Sequence, residues 1–113
     1  MTTIICDIDG VLVYHSDNSL DMKPIPGTLR KLVEWQKKGY NLILITGRRE
    51  SMRKVTEEQL AGDHITYDQL IMGVGPGPRY LINDMKPLNV YRMAIAINLK
   101  RDEGISEVEI LEV

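Results

Sequence analysis

The chain of 113 residues has one cysteine, Cys6, so neither an intrachain disulfide nor a cysteine metal cluster can form, which fits a reducing, cytoplasmic setting. It lacks a long apolar run. The longest, Met93 to Ile97, is far short of the ~20 residues that cross a membrane, and the apolar start Ile4-Ile5-Cys6 is broken at Asp7. Neither a membrane span nor a secretory signal is expected. An excess of one charge is absent too. Fourteen Lys and Arg against sixteen Asp and Glu leave −2, so no global basic field draws the chain to nucleic acid or an anionic surface, and polyanion contacts must be local. No repeat, low-complexity tract or linker divides the sequence, and residues 1–113 read as one domain with one core.

Hydrophobic patterning supplies the fold class. Thr2 to Asp7 and Asn41 to Thr46 are short, β-branched, nearly continuous apolar runs, as a strand covered on both faces requires. Between them Leu29, Leu32, Val33 and Gln36 follow helical spacing, with Pro26-Gly27 ahead and Gly39 behind. A second helix is expected over Glu50 to Leu60, where Met52, Val55 and Gln59 share a face and Gly62 is the stop. Further strands are expected at Gln69 to Met72, Tyr80 to Asn83 and Arg92 to Asn98. Alternating strands and helices imply an α/β fold whose mainly parallel central sheet is flanked by helices, with ligands at the strands' carboxyl edge. Only six residues separate Met72 from Arg79, too few for a helical crossover, so the Gln69 strand is antiparallel or a bare loop crosses. The tail alternates in Glu107-Val108-Glu109-Ile110, which suits an edge strand or a short helix.

Three polar clusters fall at strand ends: Asp7-Ile8-Asp9-Gly10, Thr46-Gly47-Arg48 and Asn83-Asp84. Asp7 and Asp9 are two apart in an extended segment and point the same way, an arrangement that calls for a cation or a shared proton. Hard oxygen ligands suit Mg²⁺, and Asp84 from another strand would complete a site at which one carboxylate stays free to attack a phosphate. The Thr46 hydroxyl and the backbone N–H groups of Gly47 and Arg48 are candidates for holding phosphate oxygens. The Gly-Pro run at 73–79 lacks the Gly-Lys-Ser/Thr ending of a phosphate loop and reads as a rigid connector. His15 and His64 have no partner at metal-ligand spacing and read as surface residues. Trp35 reads as core or interface, and Cys6 as a small buried hydrophobe.

From Thr2 to about Asn98 the chain resembles the phosphatases of the haloacid dehalogenase (HAD) superfamily. Asp7-Ile8-Asp9-Gly10-Val11-Leu12 is similar to their first motif, Leu44-Ile45-Thr46-Gly47-Arg48 to the second and Leu81-Ile82-Asn83-Asp84 to the fourth. The resemblance implies a Rossmann-like fold and an Mg²⁺-dependent phosphomonoesterase working through an aspartyl-phosphate. It implies that Asp7 is the nucleophile and Asp9 the proton donor and later base. Thr46 would bind the phosphoryl group, and Mg²⁺ would be held by Asp7, Asp84 and the Asp9 carbonyl. The family's third-motif lysine is missing from Gly73 to Arg79, so Lys86 or Arg79 must substitute. Lys86 is preferred, because Arg79 at the start of a parallel strand lies at the far end of the sheet. The missing lysine keeps a second reading in play, a relative that binds phosphate or a partner without turnover. A third, a phosphoacceptor receiver domain, fits less well because Thr46 precedes Asp84 and no strand-end aspartate lies between the first two strands. Only a short polar stretch, Val13 to Ile25, stands where larger relatives insert a cap. An open site suits a nucleic acid end, or a sugar phosphate or nucleotide if a second copy in a homo-oligomer closes over it.

Overall fold

The computed structural model describes residues 1–18, 20–87 and 93–111. Three parallel strands, β1 (Thr3–Asp7), β2 (Asn41–Ile45) and β3 (Gln69–Ile71), form a sheet in the order β1-β2-β3. Helix α1 (Thr28–Lys37) connects β1 to β2. A 3₁₀ turn at Glu50–Met52 runs into helix α2 (Arg53–Gly62), which leads to β3. The register is Asp7 opposite Ile45 and Ile45 opposite Ile71, so the carboxyl ends of all three strands share one edge. The architecture is the Rossmann-like α/β type with no cap among the described residues. The Gln69 strand is parallel, which settles the direction that sequence spacing left open.

The core is where apolar alternation meets the two helices. Leu42 and Leu44 of β2 are sealed against Leu32 and Trp35 of α1, Leu60 of α2, Leu70 of β3 and, from beyond the sheet, Ile8, Leu12 and Ile105. Each such side chain removed from water contributes roughly 1.5–3 kcal/mol before the entropy of ordering the chain is counted. Trp35 is a core residue, as one of its two expected places. The buried stripe of α1 is Thr28, Lys31, Leu32 and Trp35, whereas Leu29 and Val33 face outward. The indole selects this stripe, because Trp35 has the largest area to hide and Thr28 donates its hydroxyl to the Leu12 carbonyl at 2.7 Å on the same side. In α2 the buried pair is Thr56 and Leu60, with Met52 packed partly beneath them.

The expected strand at Tyr80–Asn83 is absent, and so is any strand over 93–98; Arg92 lies outside the described residues. Strand composition alone does not make a strand, because backbone groups need a ladder partner. The chain leaves β3 through Gly73-Val74-Gly75-Pro76-Gly77-Pro78, and Tyr80 and Ile82 emerge 90% and 95% exposed with no neighbour to pair with. In the described part of the tail, the alternation at Glu107–Ile110 appears as alternating exposure with neither helix nor strand, Val108 and Ile110 resting against the core.

Candidate active site

The site grows out of the end of β1. Ile8 continues the ladder by donating its N–H to the Ile45 carbonyl at 3.1 Å, and the chain then turns so tightly that Leu12 and Val13 both donate to the Ile8 carbonyl. Gly10 takes a φ of +84° in this turn, a conformation any side chain would strain. The turn leaves Asp7 and Asp9 half-exposed on the carboxyl edge, over a floor made by Ile8, which is fully buried.

Asp9 is held by the loop after β2. The Thr46 hydroxyl donates to Asp9 Oδ2 at 3.0 Å, and the Arg48 guanidinium donates to both oxygens, from Nη2 to Oδ1 at 3.0 Å and from Nε to Oδ2 at 3.3 Å. Arg48 Nη1 reaches the other way, to Gln59 Oε1 at 2.7 Å and Thr56 Oγ1 at 3.2 Å on α2. The guanidinium therefore ties the turn after β1 to α2 through four hydrogen bonds, and only 9% of this side chain meets solvent. The expected phosphate ligand Arg48 has its side chain turned inward, and its backbone N–H donates to Thr46 Oγ1 at 3.2 Å. At Gly47, exposed between them, an added Cβ would sit 3.2 Å from the Val74 carbonyl oxygen, a tight contact that the loop after β3 would have to relieve. The loop after β3 closes this side, Gly73 donating to the Arg48 carbonyl at 2.7 Å and Val74 to that of Thr46 at 3.0 Å.

Replacing Arg48 by lysine is expected to lower stability by roughly 1–3 kcal/mol, the cost of a broken, partly screened ion pair with a buried Thr56 hydroxyl left short of a partner. Urea unfolding measures it, and a lysine variant as stable as the parent would show that one point charge suffices where four hydrogen bonds now act.

Asp7 is paired with Arg79, whose Nη1 donates to Oδ2 at 2.7 Å. This corrects the sequence expectation that Arg79 lies at the far end of the sheet. With no strand formed at Tyr80, the Gly-Pro connector brings Arg79 back over the carboxyl edge instead of carrying it to the opposite one. Lys86 is exposed in a left-handed conformation (φ 60°), where its backbone N–H donates to Asp84 Oδ1 at 3.0 Å in a local turn. The carboxylates chosen for Mg²⁺ are thus engaged elsewhere: Asp7 with Arg79, Asp9 with Arg48 and Thr46, and Asp84 with the Lys86 backbone N–H. Among the described residues no three carboxylate, imidazole or thiol groups converge. The donors have the right hard-oxygen chemistry, yet in this arrangement they do not fit a Mg²⁺ ion.

Sequence reasoning passed over Thr56 and Gln59, the anchors of Arg48, because polar residues on a helix face give no signal of their inward partner. Cys6, directly before Asp7, is buried as expected, and burial first, then the Asp7 charge, push its thiol up to about 12. The neutral thiol is the form the fold favours. Stability is therefore untouched below the ordinary thiol value and falls as pH climbs from about 9 toward 12, by at most about 1.4 kcal/mol per pH unit. Thermal melts of the parent and Cys6→Ala across that range test this, the expectation being that the alanine variant lacks this part of the alkaline slope.

Protein-family models and curated protein sequences give no match to this chain. Solved structures do. A structure of a Pnkp1/Rnl/Hen1 complex aligns with 70% of this chain at 28% identity and a TM-score of 0.57, and one of the Pnkp1/Rnl/Hen1 RNA repair complex with 63% at 29% identity and 0.55. The alignments cover 30% and 25% of those chains, so this protein spans less than a third of their length. A structural-genomics target from Vibrio cholerae aligns with 79% of this chain and 84% of its own at 19% identity and a TM-score of 0.56. What these neighbours share with this chain is an α/β fold over most of its length.

Proposed function

We propose that residues 1–113 form a HAD-type phosphatase domain that hydrolyses phosphomonoesters through an aspartyl-phosphate on Asp7. The observation that carries this reading is the pairing of two carboxylates at the end of β1 with separate cationic supports, Arg79 on Asp7 and Arg48 on Asp9. In the proposed reaction an Asp7 oxygen attacks phosphorus while the bond to the leaving oxygen breaks, and Asp9, entering this step protonated with one of its oxygens released from Arg48, supplies the leaving group's proton. Water then attacks the same phosphorus, the bond to Asp7 breaks, and Asp9 takes the water's proton. Arg79 already touches the attacking carboxylate, and in this reading it screens the repulsion between that group and the phosphate oxygens. Thr46 and Arg48 keep Asp9 aimed while Asp7 reacts.

A strand end is the substrate class best supported. The site has no cap among the described residues, and one neighbour belongs to an RNA repair complex. The reading of a phosphate binder without turnover draws on the same geometry, since Asp7 is tied up by Arg79 and Asp84 stands outside any metal cluster. Phosphate release from a panel of sugar phosphates, nucleotides and 3′-phosphorylated oligonucleotides, with and without Mg²⁺, separates the two. Release from at least one compound is expected, and the absence of release from all of them under both conditions would favour the binder. A strict requirement for added Mg²⁺ would mean that a divalent cation, and not Arg79 alone, supports the attack.

A further inference from the structure

Next to the Gly10 turn that follows Asp9 lies a cavity of about 400 Å³ that the reading above leaves unused. Its walls are two stretches, Tyr14–Ser16 and Asp21–Pro26, clasped at their base where Tyr14 donates its N–H to the Lys23 carbonyl at 2.9 Å and Val13 bridges to Pro24. His15 stands at the end nearest the site, its Cβ 4.0 Å from where a Cβ on Gly10 would be. The chain segment 100–104 locks this junction. Asp102, at a φ of 67°, donates its N–H to the Gly10 carbonyl at 2.9 Å and accepts the His15 N–H on Oδ1 at 2.7 Å. These two bonds lay the Arg101 stem over Gly10, with its Cγ 3.5 Å from the same Cβ position, one residue from Asp9. Arg101 and Lys23 are exposed, and neither has an ion-pair partner among the described residues. The cavity thus offers the Tyr14 and His15 rings and, next to the Asp21 carboxylate, the Lys23 cation, with the Arg101 stem over Gly10.

We propose that this cavity is the leaving-group site, and that it takes a nucleotide unit of a strand end, its base against Tyr14 and His15 and its adjoining phosphodiester on Arg101 and Lys23. The assignment rests on Asp7 and Asp9 being the phosphate-transfer site. Its volume is within the range of small-ligand cavities, and rings with a free cation beside them are what a stacked base and its backbone phosphate recognise. A sugar monophosphate has no second anion for Arg101 and no ring for Tyr14.

Binding tests this separately from turnover. Fluorescence anisotropy with a tetranucleotide phosphorylated at its 3′ or 5′ end is compared with the same oligomer carrying a neutral methylphosphonate as the linkage next to that end, and with one whose terminal nucleotide is abasic. The parent is expected to bind the charged oligomer on the order of tenfold more tightly than the neutral one. Arg101→Gln and Lys23→Gln should narrow that difference, and Tyr14→Ala should lose roughly five- to a hundredfold on the base-bearing oligomer but not on the abasic one. Urea unfolding of Arg101→Gln and Tyr14→Ala should match the parent, which separates a lost ligand contact from a lost fold. Equal binding of charged and neutral oligomers by the parent, or unchanged discrimination in the variants, overturns the site. Equal losses on every oligomer, the abasic and neutral ones included, overturn it in favour of a structural role. Discrimination without hydrolysis of any compound keeps the nucleotide in this cavity but sinks the phosphatase reading and the leaving-group role with it, whereas hydrolysis without discrimination sinks this site alone.

Discussion

Asp7→Asn is expected to lower phosphate release by at least about three orders of magnitude, because the amide that replaces the carboxylate is neither charged nor a competent nucleophile. The substitution is nearly isosteric and Asp7 is half-exposed, so the fold should survive and the loss should fall on turnover. A second readout confirms that the charge is gone. The Asp7 carboxylate is one of two causes holding the Cys6 thiol up, after burial, so the asparagine variant should titrate Cys6 lower than the parent while keeping it above the ordinary value. Thiolate absorbance against pH measures that shift. Full activity in a variant whose Cys6 has shifted would reject Asp7 as the nucleophile; no shift at all would mean that the charge of residue 7 does not reach the thiol.

Which parts of this picture were legible in the sequence follows from the range of the forces involved. β1, β2 and the two helices could be read because their signals are local: runs of β-branched residues, helical spacing and glycine stops. The strand-end position of Asp7, Asp9, Thr46 and Gly47 follows from those elements without further information. In α1 the spacing of Leu29, Leu32 and Val33 competes with that of Thr28, Leu32 and Trp35, and only packing chooses which of the two stripes is buried. The Tyr80 strand failed for a related reason, since its composition suits a strand while a strand exists only with a partner along its edge. Arg79 was placed by that missing strand and so was placed wrongly. The clasp between Asp102, Gly10 and His15 joins positions 87 and 92 residues apart, and nothing local in Lys100 to Gly104 announces it.

Arg79→Ala is expected to reduce turnover by roughly tenfold to a thousandfold, and Lys86→Ala by much less, reversing the order that the sequence suggests. The argument is one of distance and exposure. A cation assists attack on phosphate only where it reaches both the nucleophile and the incoming oxygens, and the Arg79 guanidinium is 2.7 Å from Asp7 Oδ2, whereas the Lys86 contact closest to the site is a backbone bond to Asp84. Both Arg79 and Asp7 remain partly exposed, so water screens the pair and the effect should appear in the rate more than in the melting temperature. Arg79→Lys distinguishes charge from geometry. A lysine that restores most of the rate would mean that a point charge near Asp7 suffices; one that restores little would mean that the planar fork must bridge carboxylate and phosphate together. The contact also sets a limit, because Arg79 occupies an oxygen of the proposed nucleophile and must move aside or turn toward the substrate before the attack. If Arg79→Ala instead raised the rate, the arginine would be a competitor for Asp7, and the cation that assists the reaction would have to come from elsewhere in the site.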